Sequence, residues 1–414
     1  MRTVSTDHLS RVLASLPDRP RVVVTGNFAS PRTALGVLDG AVEAFQLFML
    51  NAQPGIPDRE GVVPESPFVG PGMRRSPRLR YLPARLSLAP RLFATTCPPD
   101  VVLLHTTPPR GGAVSMGLEV NILPAALEAV RRRGGLVVAQ LNPQMPWTYG
   151  DAVLAVDEID YAVEVDEPLA SPQSLPLDDT ALAIGARVAE RVADGATLQL
   201  GIGAVPDAVL TGLPHRRGLR VWTEMFSDGV LTLEQSGALD GSTPITASFI
   251  FGSPQLYRWL DDNPRVRMLR TERTNDPGLI ARNPAMTSIN SALQVDLFGQ
   301  VNASRMHNRI YSGFGGQPDF MVGAMHSPGG QALIALRSWH PKADCSTIVP
   351  LIDEPVTSFQ ASAVVTENGA AELFGHDQRV QARHLIEHAA HPQVRAELWE
   401  EAVGLGLAAP GTRG

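Results

Sequence analysis

Short apolar runs rich in β-branched residues alternate along this chain with longer stretches of helical spacing. Val22-Val-Val-Thr25 ends at Gly26, Val101-Val-Leu-Leu104 runs out near Pro108-Pro109, and Leu136-Val-Val-Ala139 near Asn142-Pro143. Between the last two, Asn121 to Arg133 has helical spacing and little turn chemistry. Strands buried on both faces read as continuous apolar runs rather than alternating ones. Strand, helix, strand at this spacing therefore predicts parallel β/α structure.

A looser stretch follows. Asp166-Glu-Pro-Leu-Ala-Ser-Pro-Gln-Ser-Leu-Pro176 is rich in proline and serine and fits a linker. Beyond it, Asp178 to Ala193 reads as a helix, and a second β/α series begins at Thr197. Its expected strands are Thr197–Leu200, Leu219–Trp222, Ile245–Ile250, Val266–Leu269, Gln331–Leu336 and Ala363–Val365. A helix near Arg379 to His388 and a last one after Pro392 close the chain. The 414 residues thus divide into two α/β domains, residues 1–175 and 176–414. In open α/β sheets ligands bind beyond the carboxyl ends of the strands, so chemistry is sought just after each apolar run.

Composition narrows the function. Hydrophobic residues make up 44%, enough for real cores, yet no apolar run reaches the roughly 18–20 residues that cross a bilayer. The N-terminus has no apolar segment behind Arg2, so a cytoplasmic protein is expected. Two cysteines, Cys97 and Cys345, are too few for a disulfide framework or a cysteine-rich metal site. The net charge of -7 speaks against a nucleic-acid surface. Basic charge is nevertheless gathered in one place. Arg74, Arg75, Arg78, Arg80, Arg85 and Arg91 occur with no acidic residue among them. Such a cluster is either a solvated basic face or an anion site, with Arg78 and Arg80 as candidates for holding phosphates. Lys342 is the sole lysine and follows no glycine, which excludes a phosphate loop of the G-x-x-x-x-G-K-[ST] type.

Two glutamates stand at expected strand ends, each just before a glycine turn. Glu224 lies in Trp222-Thr-Glu-Met-Phe-Ser-Asp-Gly229 and Glu367 in Val365-Thr-Glu-Asn-Gly369. A carboxylate so placed can act as a nucleophile and form a covalent acyl intermediate. It can equally cap a helix or make a salt bridge. Leu198-Gln-Leu-Gly-Ile-Gly-Ala-Val-Pro-Asp-Ala-Val209 reads as strand, glycine turn and helix start, with Gly201 and Gly203 in the turn. Such a helix start accepts an anion or a polar cofactor edge, although Pro206 at the third glycine position excludes a dinucleotide fingerprint. Ser312-Gly-Phe-Gly-Gly-Gln317, with Gly315 and Gly316, is a second loop whose backbone can approach a ligand and donate N–H groups to an oxyanion. A simple tight turn is the alternative for each. His384-Leu-Ile-Glu-His388 matches the H-x-x-E-H pattern, but it sits on an ordinary amphipathic helix and no metal site is expected.

Taken together these motifs resemble those of the acetyl-CoA hydrolase/transferase family over nearly the whole chain, from about Val22 to Leu398. The motifs are Phe68-Val-Gly-Pro-Gly-Met73, Thr107-Pro-Pro-Arg-Gly-Gly112, Asn142-Pro-Gln-Met-Pro146, Gln199-Leu-Gly-Ile-Gly203 and Thr223-Glu-Met-Phe-Ser-Asp-Gly229. Farther on come Ser288-Ile-Asn-Ser-Ala292, Val295-Asp-Leu-Phe-Gly-Gln300, Ser312-Gly-Phe-Gly-Gly-Gln-Pro-Asp-Phe320 and Thr366-Glu-Asn-Gly369. The resemblance implies two α/β domains of the NagB/RpiA-like CoA-transferase type, with largely parallel sheets and the active site at the domain interface. It places the nucleophile on Glu224 and oxyanion donors on Asn275 and the Gly316 N–H. Gly201, Gly203, Gly315, Glu367, Asn368 and Gly369 then line the CoA-ester pocket, and Glu367 is the rival nucleophile.

The implied reaction is CoA transfer between an acyl-CoA and a carboxylic acid through a glutamyl-CoA thioester. Coenzyme A and acyl-CoA are substrates, with no tightly bound cofactor or metal, no nucleic-acid or membrane partner, and a homodimeric assembly. Acyl-CoA hydrolysis by the same glutamate is the alternative, and a catalytically silent CoA-binding protein a third reading that intact Glu224, Asn275 and Gly316 oppose. Two departures stand out. Gln294 replaces a glutamate of many relatives, and Leu336-Arg-Ser-Trp-His-Pro-Lys342 lacks their Pro-Ser-Thr-type loop.

Overall fold

The computed structural model describes every residue except 173–175, 202 and 412–414. Three residues of the expected linker and Ile202 of the first glycine turn thus lie outside the described residues. The chain forms two compact units. One comprises Met1–Gln173, Pro244–Asn275 and Ile310–Gly315; the other Ser174–Thr243, Asp276–Arg309 and Gly316–Gly414.

The first unit is built on an eight-stranded, wholly parallel sheet. Its order is Arg2–Thr3, Tyr161–Glu164, Leu136–Leu141, Val101–Thr106, Arg21–Val24, Phe45–Phe48, Val62–Ser66 and Arg80–Tyr81. The central strands are those whose apolar runs are unbroken. Val22, Val23, Val102, Leu104, Val137 and Val138 are at most 1% exposed, as strands covered by helices on both faces must be. The helix expected over Asn121 to Arg133 spans Leu123–Arg132, with Pro124 in its first turn and Arg131 and Arg132 in its last.

Two strands of the expected second series belong here instead. Ile245–Ala247 and Val266–Met268 pair with each other and with Tyr149–Gly150 in a small parallel sheet of the first unit. Apolar content announced strands but not which sheet would receive them.

The second unit holds a sheet ordered Met225–Phe226, Thr197–Leu200, Met286–Asn290, Gln331–Ala335, Ala363–Thr366 and Gly369–Glu372. Thr197–Leu200 also pairs with Arg220–Val221. The four middle strands are parallel, and Gly369–Glu372 returns antiparallel as a hairpin. Asp178 caps the helix Asp179–Arg191 by accepting from the Ala181 N–H at 2.9 Å. The helix expected to reach His388 is α-helical only over Gln378–His384, then widens into a π turn over Leu385–Ala389.

The loop Ser312–Gly315 shows why its glycines are needed. Ser312 O accepts from the Val69 N–H at 2.5 Å, and Gly315 O accepts from the Leu86 N–H at 3.1 Å. Gly315 has φ +58, and a Cβ there would stand 3.0 Å from the Phe68 ring. Gly315→Ala is expected to destabilise the first unit by about 1–3 kcal/mol, from left-handed strain plus crowding. Denaturant unfolding checks this; an unchanged midpoint would refute the packing argument.

Candidate active site

The carboxyl edge of the second unit's sheet gathers the polar residues that chemistry could use. Thr197–Leu200 runs into Gly201 and then Gly203, whose φ of +119 opens the helix Ala204–Thr211. Beside that turn, Trp222-Thr223-Glu224 crosses the strand end. The buried Thr223 hydroxyl donates to Leu200 O at 3.2 Å and to Met225 O at 2.8 Å. Those bonds fix a bend at Glu224, which is half-buried. Glu224 and the turn of Gly201 and Gly203 therefore lie at the same strand end.

Asp207, on the helix that follows, accepts from the Ser227 hydroxyl at 3.4 Å. Burial, with Asp228 adding to it, pushes the Asp207 carboxyl above the usual range.

Next along the edge lies a network that joins residues of two motifs quoted above, a pairing the sequence did not display. Gln199 Oε1 accepts from the Ser288 hydroxyl at 2.6 Å and from Asn290 Nδ2 at 3.0 Å, and Asn290 Nδ2 also reaches Ser288 Oγ at 2.8 Å. Gln199 is 4% exposed and Ser288 0%. The available signal was that both stretches belong to the quoted motifs, Gln199-Leu-Gly-Ile-Gly203 and Ser288-Ile-Asn-Ser-Ala292. Above Asn290, the helix Gln317–His326 begins at Gly316, and Gln317 Nε2 donates to Ser291 O at 3.3 Å. The unpaired N–H groups of a helix start, Gly316's neighbourhood included, are natural donors to negative charge.

Glu367 stands beyond the Ala363–Thr366 strand, three strand spacings or about 14 Å of backbone from Thr197–Leu200. Its carboxylate is held. Oε2 accepts from the Ser338 N–H at 3.0 Å and Oε1 from the Ser338 hydroxyl at 2.5 Å. Asn368 Nδ2 in turn donates to Ser338 Oγ at 2.9 Å. Ser338 lies in the 336–342 segment, which thus supplies the clamp on Glu367. Gly369 has φ +155, and a Cβ there would meet His388 O at 2.7 Å.

The remaining candidates fall in the first unit. Asn275 ends the short helix Thr271–Thr274 and is fully buried. The Thr274 hydroxyl donates to its Oδ1 at 2.8 Å, which leaves Nδ2 as the donating end of the amide. Gly315 packs on Phe68, as described. The arginine cluster is partly committed to ion pairs. Arg78 Nη2 lies 2.5 Å from Asp58 and its Nε donates to Val62 O at 3.0 Å. Arg80 lies 3.5 Å from Glu65, a buried carboxylate that also binds Arg21 at 2.7 Å. A phosphate-holding role for Arg78 and Arg80 competes with these pairs.

His384 Nδ1 bonds the Glu372 carbonyl oxygen at 2.8 Å, a structural use of the H-x-x-E-H stretch. Among the described residues no group of three or more His, Cys, Asp or Glu side chains could hold a metal ion. No helix among them is long and apolar enough to cross a membrane.

A largely parallel α/β chain with acidic and amide side chains at a sheet's carboxyl edge has the arrangement in which α/β enzymes bind ligands. The comparisons make the class specific. The N-terminal domain of the acetyl-CoA hydrolase/transferase family matches residues 65–171, and the C-terminal domain matches residues 252–402. The 4-hydroxybutyrate coenzyme A transferase of Clostridium kluyveri is 40% identical over 349 residues, covering 81% of this chain and 80% of that one. The succinyl-CoA:acetate/propanoyl-CoA:succinate CoA transferase of Fasciola hepatica is 36% identical, covering 92% and 84%. The crystal structure of 4-hydroxybutyrate CoA-transferase from Porphyromonas gingivalis superposes with a TM-score of 0.82 at 32% identity, covering 98% of each chain. The chain belongs to the acetyl-CoA hydrolase/transferase family. CoA transfer is the chemistry for which these relatives at 36–40% identity are named.

Proposed function

We propose that this protein moves coenzyme A between carboxylic acids through a thioester on Glu224. The observation that carries the assignment is the place of Glu224, at a bend fixed by the Thr223 hydroxyl beside Gly201 and Gly203 at the carboxyl edge of the second unit's sheet. A carboxylate there can bring a lone pair to a thioester carbonyl. Both Glu367 oxygens accept from Ser338, an arrangement that suits a positioning role.

The steps follow from carboxylate chemistry. A Glu224 oxygen attacks the thioester carbonyl, the C–S bond breaks, and CoA leaves as the thiolate with a mixed anhydride behind it. The thiolate then attacks the glutamyl carbonyl, expelling the first acid as its carboxylate and leaving CoA on Glu224. An acceptor carboxylate reverses the sequence and departs as the new acyl-CoA. Each tetrahedral intermediate carries an oxyanion, and Asn275 Nδ2 and the Gly316 N–H are the assigned donors. Water in place of the acceptor gives hydrolysis, so exclusion of water separates the two activities of the family.

The test is direct. The protein is incubated with acetyl-CoA, reduced with borohydride, and the modified residue mapped by mass spectrometry. Reduction at the Glu224 carboxyl carbon is expected. Modification at Glu367, or at no residue, overturns the assignment. Single carboxylic acids added while acyl-CoA and free thiol are followed separate transfer from hydrolysis. Removing one oxyanion donor, as in Asn275→Ala, is expected to lower kcat by about 10²–10³. A kcat within a few-fold of wild type would remove Asn275 from the chemistry.

A further inference from the structure

The strand register of the second unit sets three residues in one row. Leu200 pairs with Ile289 on one side, in a parallel ladder, and with Met225 on the other, in an antiparallel one. One residue past those pairs stand Asn290, Gly201 and Glu224, at three adjacent strand ends with the glycine in the middle. At about 4.8 Å per strand spacing, the Asn290 and Glu224 backbones are about 10 Å apart. Gly201 leaves the ground between them open. Among the described residues, the atom nearest a Cβ built on Gly201 is Pro206 Cγ, at 3.7 Å.

Asn290 is half-buried, and its amide is held in one orientation. Nδ2 donates to Ser288 Oγ at 2.8 Å and to Gln199 Oε1 at 3.0 Å, which uses both of its hydrogens. Those two partners are joined in turn, the buried Ser288 hydroxyl donating to the same Gln199 oxygen at 2.6 Å. Turning the Asn290 amide over would break two bonds where water does not replace them. Its oxygen is less engaged. Among the described residues Oδ1 accepts only from Gln199 Nε2, at 3.4 Å, and an amide oxygen has two lone pairs. The row thus has a carboxylate at one end, a fixed acceptor at the other and no side chain between.

From this placement we infer that Asn290 Oδ1 accepts the amide N–H nearest the sulfur of the acyl-CoA, so that the thioester arm lies over Gly201 while Glu224 takes the acyl carbon. The inference rests on the Glu224 reading and names the part of the substrate that this edge recognises. Two methylenes separate that N–H from the sulfur. A reacting contact of about 3 Å at Glu224 and a hydrogen bond of about 3 Å at Asn290 leave roughly 4 Å of the span, which the bent link from thioester carbon to amide nitrogen fills. The chemistry of the contact is selective. With both Nδ2 hydrogens committed, Asn290 offers an acceptor and no donor, which suits an N–H and gives nothing to the carboxylate of the acid being exchanged. The same arm is present in the acyl-CoA, beside the anhydride and in the glutamyl thioester, so one contact serves every step.

The test compares acetyl-CoA with an analogue in which that amide N–H is replaced by an ester oxygen. The full chain is mixed with each donor alone, and the second-order rate of adduct formation is followed by mass spectrometry. Wild type is expected to react at least about 10-fold more slowly with the analogue, as sites built to bond a substrate N–H do when it is missing. In Asn290→Ala and Asn290→Leu the ratio of the two rates falls to within about 3-fold of unity. Taking the ratio inside each variant cancels any general loss of activity. A wild-type enzyme that forms the Glu224 adduct from both donors at one rate overturns the arm contact and leaves the nucleophile standing, as does a penalty kept in both variants. An adduct on another residue, or on none, removes the nucleophile and the arm contact with it.

Discussion

Glu224→Gln should abolish CoA exchange, lowering kcat by more than about 10³ and eliminating the borohydride-trapped adduct. The substitution keeps the side chain's size and hydrogen-bonding reach at the bend fixed by Thr223, yet removes the anionic oxygen that forms the anhydride. Glu224→Asp retains the carboxylate but withdraws it by one methylene, and misplacement of about 1 Å can cost about 10² in rate. Glu367→Gln should behave differently. It disturbs the contact with Ser338 and slows turnover, while the adduct still forms on Glu224. If Glu224→Gln retains exchange and Glu367→Gln loses it, the two roles are reversed.

The second large effect concerns acid. His105 lies one residue before the end of the buried strand Val101–Thr106 and is 4% exposed. Its Nδ1 bonds Ala29 O at 2.9 Å, and its Nε2 faces the amide Nδ2 of Asn142 at 3.1 Å and Nε2 of Gln140 at 3.4 Å. A carbonyl on one side and two amide donors on the other fit a neutral ring with its proton on Nδ1. Burial pushes its pKa down to about 4, against the weaker opposing pulls of the Ala29 carbonyl and Glu167. The folded value is depressed, so the unfolded chain takes up the proton first as pH falls. This group's stabilisation is therefore complete above about pH 6.5 and is lost between there and about pH 4, amounting to roughly 3 kcal/mol. Urea unfolding at pH 7.5 and 4.5 measures it, with His105→Gln as the reference. The gap between wild type and variant should shrink at the lower pH; a constant gap would mean that His105 is not held neutral.

Much of this architecture was written locally. Unbroken runs such as Val22–Val24 and Leu136–Ala139 became buried parallel strands, because continuous apolar character is what a doubly covered strand requires. Gly203 opens its helix at a positive φ, and Pro206 lies within that helix's first turn, as the turn chemistry indicated. What escaped were properties set by distant residues. Ile245–Ala247 is an equally plain strand, yet its partner Val266–Met268, which pairs in turn with Tyr149–Gly150, decides which sheet it joins. Arginine clustering around Arg78 signalled an anion, but Asp58 and Glu65, which sit upstream in sequence, reach two of those guanidinium groups. The two catalytic candidates on glycine turns were visible because their neighbours are distinctive. Gln199, Ser288 and Asn290 act through one another, and Ser338 acts on Glu367; a single sequence does not display such pairings.

The division of the chain also has a consequence for synthesis. The first unit is completed only by Pro244–Asn275 and Ile310–Gly315, which lie far downstream of its sheet. A ribosome that has released residues 1–173 has delivered all eight strands of that sheet, but not the partners of Tyr149 or the loop that seats on Phe68. The nascent chain must keep these surfaces from wrong associations while some 140 further residues emerge, at roughly 5–20 residues per second. Maturation is thus vectorial in translation but interleaved in assembly, and the first unit receives its last piece after much of the second has already emerged.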